Sequence, residues 1–576
     1  MGQGYLKIAA QTASGALPVE GAQVVIADHS GRTLYTLTTD SSGQTESVSL
    51  CAPDRSTTMQ PGGEAYSTYN VTVSKDGFVT ETVIGAEVLD TIHQTQPVYL
   101  NAHFEGGGDA ETIVVADNAL KQESPQMQQS GPRLSPRVLN DVIIPAAITV
   151  HMGDPNDAGA KNITVRFPDY VKNVVASEIY ATWPQASLEA NTYAIISLAL
   201  NRVYTEWYRS RRYNFDITNS TRYDQYFKEG QTIPDNISQI VDRIYNQYIR
   251  RVGYKEPLFS SYCNGTTATC SGMSQWGSVT LANSGYSAVN ILKNYYGNNI
   301  EIARTDKVSG VLSSYPGYPL SQGSVSAQVS RMQTYLNRIA TNFPAIGKVS
   351  EDGKYSAATA AAVREFQGIF GLPQTGVIDQ ATWNKISYIY VAVTKLAELD
   401  SEGQRIGVGV SPPTVVLRRG ASGADVVQLQ FLLNAIGTYY PSIPPIAEDG
   451  AFGANTADAV RAFQRRFGLS ADGIVGPATW KKLYAVYKSL GLGTGGGGGV
   501  PPYPGTLLSR GSTGNDVRTL QTYINKLAET SPTVPKIGVD GIFGPKTEAA
   551  VTAAQKLLGL DPDGIAGPAT WGAVVK

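Results

Sequence analysis

The sequence predicts a multidomain chain: an N-terminal β-sandwich, a mainly helical α+β domain, and three small three-helix domains. Three observations carry this reading. Residues 5 to about 104 hold short runs rich in Val, Ile, Thr and Tyr, broken at regular intervals by turn signals. Helical spacing of apolar residues dominates residues 141–305. Beyond them, one pattern recurs three times. Its landmarks are Gly323, Gln333, Asp352-Gly353 and Trp383, then Gly420, Gln430, Asp449-Gly450 and Trp480, then Gly511, Gln521, Asp540-Gly541 and Trp571. A second turn glycine keeps step at Gly376, Gly473 and Gly564. Gapless register over three copies marks duplicated small domains. Such modules on one chain suit a repetitive polymer, because each added contact becomes intramolecular.

The sandwich is assigned to residues 1–104, with Asp28-His29-Ser30-Gly31, Asp40-Ser41-Ser42-Gly43 and Lys75-Asp76-Gly77 as turns. It holds no cluster of titratable residues and receives no chemistry. Residues 105–140 change to GGGD and then KQESPQMQQSGPRLSP, a polar Pro/Gly-rich composition that reads as a linker open to proteases. Residues 141–305 open with a strand-like VIIPAAITVHM. A long helix then follows Pro184, and NISQIVDRIYNQYIRRV reads as another. The repeats occupy 313–393, 413–487 and 506–576, with a Gly/Pro linker over 488–505.

Totals narrow the function. The 576 residues carry 46 basic and 48 acidic side chains without a basic block, which argues against nucleic acid. No apolar run reaches the roughly 18 residues of a membrane span. The N-terminus MGQGYLKIAAQTASG lacks a charged region followed by a long apolar stretch, so it does not read as a secretion signal. The 32 tyrosines offer apolar faces with a hydroxyl handle, suited to sugar rings.

One carboxylate stands out. In DYVKNVVASEI, read as a helix, Val171, Val174, Val175 and Ile179 share an apolar face, and Glu178 falls on that same face. A carboxyl group there is partly desolvated, so it keeps its proton toward neutrality and can act as a general acid. The alternative is a buried Glu satisfied by hydrogen bonds. Asp242, Glu206 and Glu229 read as solvated faces, and Glu189 as a first-turn residue favoured by the helix dipole. A Cys-His peptidase built on Cys263 and His151 is a weak rival, since nothing orders the two residues.

The segment YVKNVVASEIYATWPQASLEANTYAIISLALNRVY, with CSGMSQWGSVTLANSGYSAVNILKNYYG, resembles the SpoIID/LytB family. The repeats resemble peptidoglycan-binding domains of type 1, with DGIFGPKTEAAV and DGIAGPATW as signature, and the first hundred residues resemble transthyretin-like, carboxypeptidase-regulatory domains. This combination resembles spore cortex-lytic enzymes of the SleC type. The resemblance implies lytic transglycosylation of peptidoglycan glycan strands, with no cofactor and with Glu178, in the "SE" step, as single acid/base. It also implies substrate-positioning roles for Asp216, Thr218, Asn219, Tyr223 and Gln225 in a polar loop, and for Ser274 and Gln275 in the MSQ motif. Asp449, Phe452, Gln464, Trp480, Asp540, Phe543 and Trp571 are the corresponding positions in the glycan-binding repeats, where a core role is the competing reading for the aromatic residues. Repeat one has drifted, with Tyr355-Ser356 for Phe-Gly, and is expected to serve partly as a spacer. An activating protease cutting within 105–140 is implied as a partner, the sandwich being a removable pro-region. The implied location is spore cortex or cell wall.

The chain departs from the sporulation members at the metal, which those can hold on Cys and His. Cys263, Cys270 and a remote His151 make a poor zinc set, so no metal is expected. A disulfide between Cys263 and Cys270, closing a short loop worth roughly 2–3 kcal/mol, is the expectation, with two free thiols as the alternative. The second functional reading is a non-catalytic wall-binding protein that recruits or stimulates a partner amidase.

Overall fold

The computed structural model describes residues 2–103, 110–121, 139, 141–266, 271–309, 315–405, 416–490, 508–512, 515–558, 560 and 562–575. They fall into two compact units, residues 1–396 with 408–490, and residues 397–407 with 491–576.

In the first unit the N-terminal strands are β1 (Gly2–Thr12), β2 (Leu17–Pro18), β3 (Gln23–Ala27), β4 (Thr33–Thr38), β5 (Val48–Ala52), β6 (Ser67–Ser74), β7 (Thr80–Val88), β8 (His93–Tyr99) and β9 (Ala110–Val114). One sheet runs β4-β3-β6-β7-β9. The other centres on β1, which pairs with β2, β5 and, in parallel, β8. Period-two alternation sends Leu6, Ile8, Val71 and Val73 into the core between them. Strand β9 corrects the expected linker: residues 110–114 pair in parallel with β7, and Asn118 just beyond is buried. Of the linker assigned to 105–140, the stretches 105–109, 122–138 and 140 lie outside the described residues.

The next region contains β10 (Ala147–His151), β11 (Asn162–Arg166), α1 (Phe167–Glu178), α2 (Gln185–Tyr204), β12 (Ile217–Thr218), β13 (Ile233–Pro234), α3 (Asp235–Ile244), β14 (Gln247–Arg251), β15 (Tyr262–Cys263), β16 (Met273–Ser274), α4 (Gln275–Asn283), α5 (Ala288–Tyr296) and β17 (Ile300–Arg304). The helix expected over NISQIVDRIYNQYIRRV ends at Ile244. Its second half becomes β14, because Gln247–Arg251 finds an antiparallel partner in β17. That non-local pairing overrides the helical period.

This region and the sandwich are not separate bodies. Strand β13 extends the sandwich sheet by pairing Ile233 with Thr95 on β8. Ala65, Tyr66 and Leu89 of the sandwich belong to the same core as Val171, Val175 and Trp183. Lys228 and Glu87 form a buried ion pair across the junction at 2.8 Å. Asp242, read from sequence as solvated, is 3 % exposed: Lys172 reaches it at 2.8 Å and Lys385 of the first repeat at 3.3 Å.

Each repeat has three helices: α6 (Ala327–Ala340), α7 (Ala357–Ile369) and α8 (Gln380–Arg405), then α9 (Ala424–Tyr439), α10 (Ala454–Arg466) and α11 (Pro477–Ser489), then α12 (Asn515–Thr530), α13 (Pro545–Leu557) and α14 (Pro568–Val574). Repeats one and two belong to the first unit. Tyr388 donates to the Ala146 carbonyl (2.6 Å), and Arg466 pairs with Glu111 on β9 (2.8 Å). Repeat three lies in the second unit. The expected linker over 488–505 is outside the described residues from 491 onward.

Buried glutamines explain the repeated landmarks. Gln430 accepts from the Gly450 amide (2.8 Å) and donates to Asp449 (2.8 Å), the Ala451 carbonyl (3.1 Å) and Thr456 (3.2 Å). Gln521 and Gln333 make the same four bonds in their own repeats. Gln464 ties the second turn to Gly473, Asp472 and Thr479 in the same way. Gly450 and Gly473 sit at φ 69° and 75°, the left-handed region that favours glycine. Repeat one keeps the same ties, Gln367 accepting from the Gly376 amide at 2.8 Å, and adds a bond from the Tyr355 hydroxyl to the Gly376 carbonyl at 2.8 Å.

Candidate active site

Glu178 is the last residue of α1. Pro168 and Asp169 favour the first turn of that helix. Ile179 turns to extended backbone (φ −139°) and ends it, so Ile179 leaves the helical face on which the sequence placed it. Glu178 is 3 % exposed. Three donors converge on its carboxylate. The Tyr226 amide reaches Oε1 at 2.8 Å, the Tyr262 hydroxyl reaches Oε1 at 3.3 Å, and the Gln275 side-chain amide reaches Oε2 at 3.2 Å.

Each donor is itself fixed. Asn173, on α1, accepts from the Lys228 amide (2.9 Å) and donates to the Lys228 carbonyl (2.6 Å), which holds the 225–228 loop across the helix. Tyr262 sits on β15, whose parallel pairing with β16 (Tyr262 with Met273) sets it beside Gln275, the first residue of α4. Ser274 caps that helix by accepting from the Gly277 amide at 2.9 Å. Gly272 permits the close approach: a Cβ there would lie 1.8 Å from the Ser261 carbonyl oxygen.

Burial pushes the Glu178 carboxyl up to about 7, against the downward pull of its three donors and of the Lys228 ammonium. Desolvation therefore outweighs hydrogen bonding, and the group holds its proton near neutrality. No second carboxylate is hydrogen-bonded to it among the described residues. An isolated carboxyl of this kind can give a proton and take one back.

The sequence-derived positioning residues divide. Gln275 touches Glu178, and Gln225 supports the site from behind by accepting from Tyr170 (3.0 Å) and donating to the Ile195 carbonyl (3.0 Å). Ser274 acts through the α4 cap. Thr218 donates to Asp224 (2.7 Å) within a buried network that also holds Arg202 and Tyr208. Asp216 pairs with Arg209 (2.7 Å) and accepts from the Thr149 amide (2.8 Å), Asn219 donates to the Phe227 carbonyl (3.3 Å), and the Tyr223 carbonyl accepts from Arg202 (2.9 Å). None of these four is hydrogen-bonded to Glu178. The Tyr226 amide and the Tyr262 hydroxyl were not anticipated. A backbone amide leaves no sequence signal, and Tyr262 is one of many tyrosines.

The peptidase pairing has no geometric basis. Cys263 is disulfide-bonded and Cys51 is free, while Cys270 lies outside the described residues. His151 engages Asn162 and the Asp154 carbonyl through its two ring nitrogens and stacks on Phe215. In repeats two and three, Phe452, Gln464, Trp480, Phe543 and Trp571 are each 2 % exposed or less. Trp480 and Trp571 thus take the core role that the sequence offered as the competing reading, and the glycan contact assigned to Phe452, Gln464 and Phe543 is corrected to a core role. Asp449 and Asp540 remain at the surface as turn caps, with their carboxyls held low by backbone and Gln side-chain hydrogen bonds.

Comparison with known proteins assigns the regions. Residues 325–386, 422–483 and 513–574 match the peptidoglycan-binding domain family, and residues 158–250 match SpoIID, the stage II sporulation protein. The N-acetylmuramoyl-L-alanine amidase CwlL of Bacillus licheniformis is 36 % identical over 166 residues, covering 27 % of this chain and 44 % of that protein. A spore cortex-lytic enzyme of Bacillus cereus is 31 % identical over 142 residues, covering 22 % and 53 %. The chain thus spans about half the length of these curated relatives. Among solved structures, the SleB N-terminal domain is 38 % identical, covering 14 % of this chain and 99 % of that one at a TM-score of 0.12. No helix among the described residues is long and apolar enough to cross a membrane.

Proposed function

We propose that the chain is a peptidoglycan lytic transglycosylase acting on spore cortex or wall, with Glu178 as its single acid/base. The observation that carries this reading is a buried carboxyl held by three donors and protonated near neutrality, with no carboxylate bonded beside it. In the first step Glu178 gives its proton to the oxygen linking N-acetylmuramic acid to N-acetylglucosamine, and the bond from C1 to that oxygen breaks. In the second, the 6-hydroxyl oxygen of the same muramic residue bonds to C1, and its proton returns to Glu178. No water is consumed, and the product carries a 1,6-anhydro end. A two-carboxylate glycosidase needs its second acid to activate water or form a covalent adduct, and this chemistry needs neither.

Access requires a change. At 3 % exposure the carboxyl cannot meet a glycan until part of its shell moves. The first 121 residues lean on the segment around it. Asn118 donates to the Ala176 carbonyl (3.1 Å), and Thr58 receives both Thr182 (2.6 Å) and the Trp183 ring nitrogen (2.9 Å). This favours a latent form released by a cut in the segment after Lys121.

The second reading is a wall-binding protein that stimulates a partner amidase, and the deep burial of Glu178 favours it. The test is digestion of purified cortex peptidoglycan by the full chain, uncut and protease-cut, with and without Glu178→Gln, products read by mass spectrometry. Anhydro-muramic ends that vanish in the variant are expected. Released stem peptides would replace this chemistry by amide hydrolysis. Intact glycan from every form, with binding retained, would leave the recruiting protein.

A further inference from the structure

A cavity of about 390 Å³ lies within the first unit, where the sandwich, the SpoIID region and the first two repeats meet. This is within the size range of small-ligand sites. Ile163, Phe227 and Ile389 contribute apolar wall. Two ionisable groups on its lining, Glu81 and Arg166, are incompletely satisfied by the protein.

The first is Glu81 on β7. Its residue is 5 % exposed and lines the cavity, yet its carboxyl has no hydrogen-bond or ion-pair partner among the described residues. Its charged neighbours are Glu111 on β9, Glu229 before β13, and Arg466 on α10. Arg466 is already paired with Glu111, and Lys161 with Glu229. A buried carboxyl beside two others, with the nearby cations committed elsewhere, is a site that lacks a cation.

The second is Arg166 at the end of β11. Nε is bonded to Asp169 (2.6 Å), but Nη1 is buried without a partner. Close by, Lys172 and Lys385 share the single carboxylate of Asp242, and Lys385 is pushed down to about 8 because burial and the neighbouring ammonium outweigh that share. Three cations, Arg166, Lys172 and Lys385, thus share two carboxylates, Asp169 and Asp242, and this end can take one more anion.

The ends are separate but face one space. Glu81 is carried by β7 of the sandwich and Arg166 by β11 of the SpoIID region, and both belong to the lining of this cavity. Tyr99, at the end of β8, keeps 39 % of its surface free and lines the same cavity. Its hydroxyl and the apolar walls suit a neutral, hydrogen-bonding middle. A free amino acid carries both charges on one carbon and cannot reach two ends, whereas a short peptide spaces them.

We propose that this cavity binds a short peptide with free termini, its ammonium on Glu81 and its carboxylate on Arg166. The site is distinct from Glu178, and its occupancy does not depend on the chemistry there. Because the ligand touches the sandwich, the SpoIID region and the repeats together, binding also fastens these parts to one another.

The test is calorimetric titration of the full chain with trialanine, with its N-acetyl and C-amide forms, and with free alanine. Trialanine is expected to bind one to one. N-acetylation or Glu81→Gln should each weaken it at least tenfold, and combining them should add little. The C-amide and Arg166→Gln should behave alike at the other end. Glu81 is pushed up to about 8 in the empty cavity by burial and by Glu111, so it is protonated at neutral pH. Binding an ammonium ionises it, and about one proton should leave per peptide at pH 7, seen as a dependence of heat on buffer ionisation. Glu81→Gln removes a buried acid and should fold at least as well as the parent, so its result is interpretable. Absence of saturable trialanine binding overturns the proposal. So does binding that survives Glu81→Gln, or alanine binding as tightly as the peptide.

Discussion

Replacing Glu178 by Gln should stabilise the protein at alkaline pH while removing the lytic activity proposed for it. The folded carboxyl titrates near 7 against an ordinary value of 4.5, because burial disfavours its charged form. Between these values the folded chain keeps a proton that the unfolded chain has released. Stability therefore falls as pH rises from 4.5 to 7, and the loss persists above 7. The separation corresponds to about 3 kcal/mol. Gln removes that penalty, but its amide faces the Gln275 amide where Oε2 accepted a bond, which costs about 1 kcal/mol unless Gln275 turns over. The net gain of about 2 kcal/mol should raise Tm by roughly 2–4 °C at pH 8 in a body of this size. Below pH 4.5 the gain should be gone, leaving the variant about 1 kcal/mol less stable through the lost Gln275 bond. Differential scanning calorimetry of the two full chains at pH 4, 6 and 8 measures it. A destabilised variant at pH 8, or a difference that does not shrink toward pH 4, would refute the argument that desolvation dominates this site. The parent's lytic rate should fall as pH rises past about 7, since the first step needs the protonated acid.

Three other outcomes follow from the packing. Glu87→Gln leaves Lys228 buried without its counter-charge and should destabilise the first unit by about 3–5 kcal/mol, whereas pairing Glu87→Leu with Lys228→Met should recover most of that in denaturant unfolding. Gln464→Leu abandons the Gly473 amide and the Asp472 and Thr479 contacts, and should cost repeat two at least about 2 kcal/mol by hydrogen exchange of its turn amides. Removing residues 491–576 should weaken wall sedimentation. Removing 413–576 should lower Tm as well, since repeat two bonds to the sandwich through Arg466 and Glu111.

Local periodicity made the elements legible, and non-local pairing hid the rest. The apolar face of α1 was written at positions 171, 174 and 175, and its extension to Glu178 was enough to single out the buried acid. The repeats were legible through glycine and glutamine spacing. Their role stayed open between ligand contact and core, because spacing alone cannot tell a residue that touches ligand from one that folds the turn presenting it. Gln464 and Trp480 are of the second kind. Asp242 was misread because its cations, Lys172 and Lys385, lie 70 and 143 residues away. The strand at 110–114 was hidden by the Gly-rich run before it, and its partner β7 begins 30 residues upstream.

How the sandwich meets the SpoIID region bears on any activating cut. Severing the chain after Lys121 would not by itself free the sandwich. Strand β13 stays hydrogen-bonded to β8, Tyr66 and Leu89 remain in the shared core, and Lys228 remains paired with Glu87. Releasing the sandwich would expose that apolar surface and strand a buried ammonium, a cost of several kcal/mol. The cut chain should therefore elute from gel filtration as one particle and separate only in denaturant. If it is nevertheless activated, the effect must come from loosening Asn118 and its neighbours against residues 176–183, not from loss of a domain. Activation that tracks dissociation of the first 121 residues at neutral pH would show instead that this interface is weaker than its buried pair and shared core require.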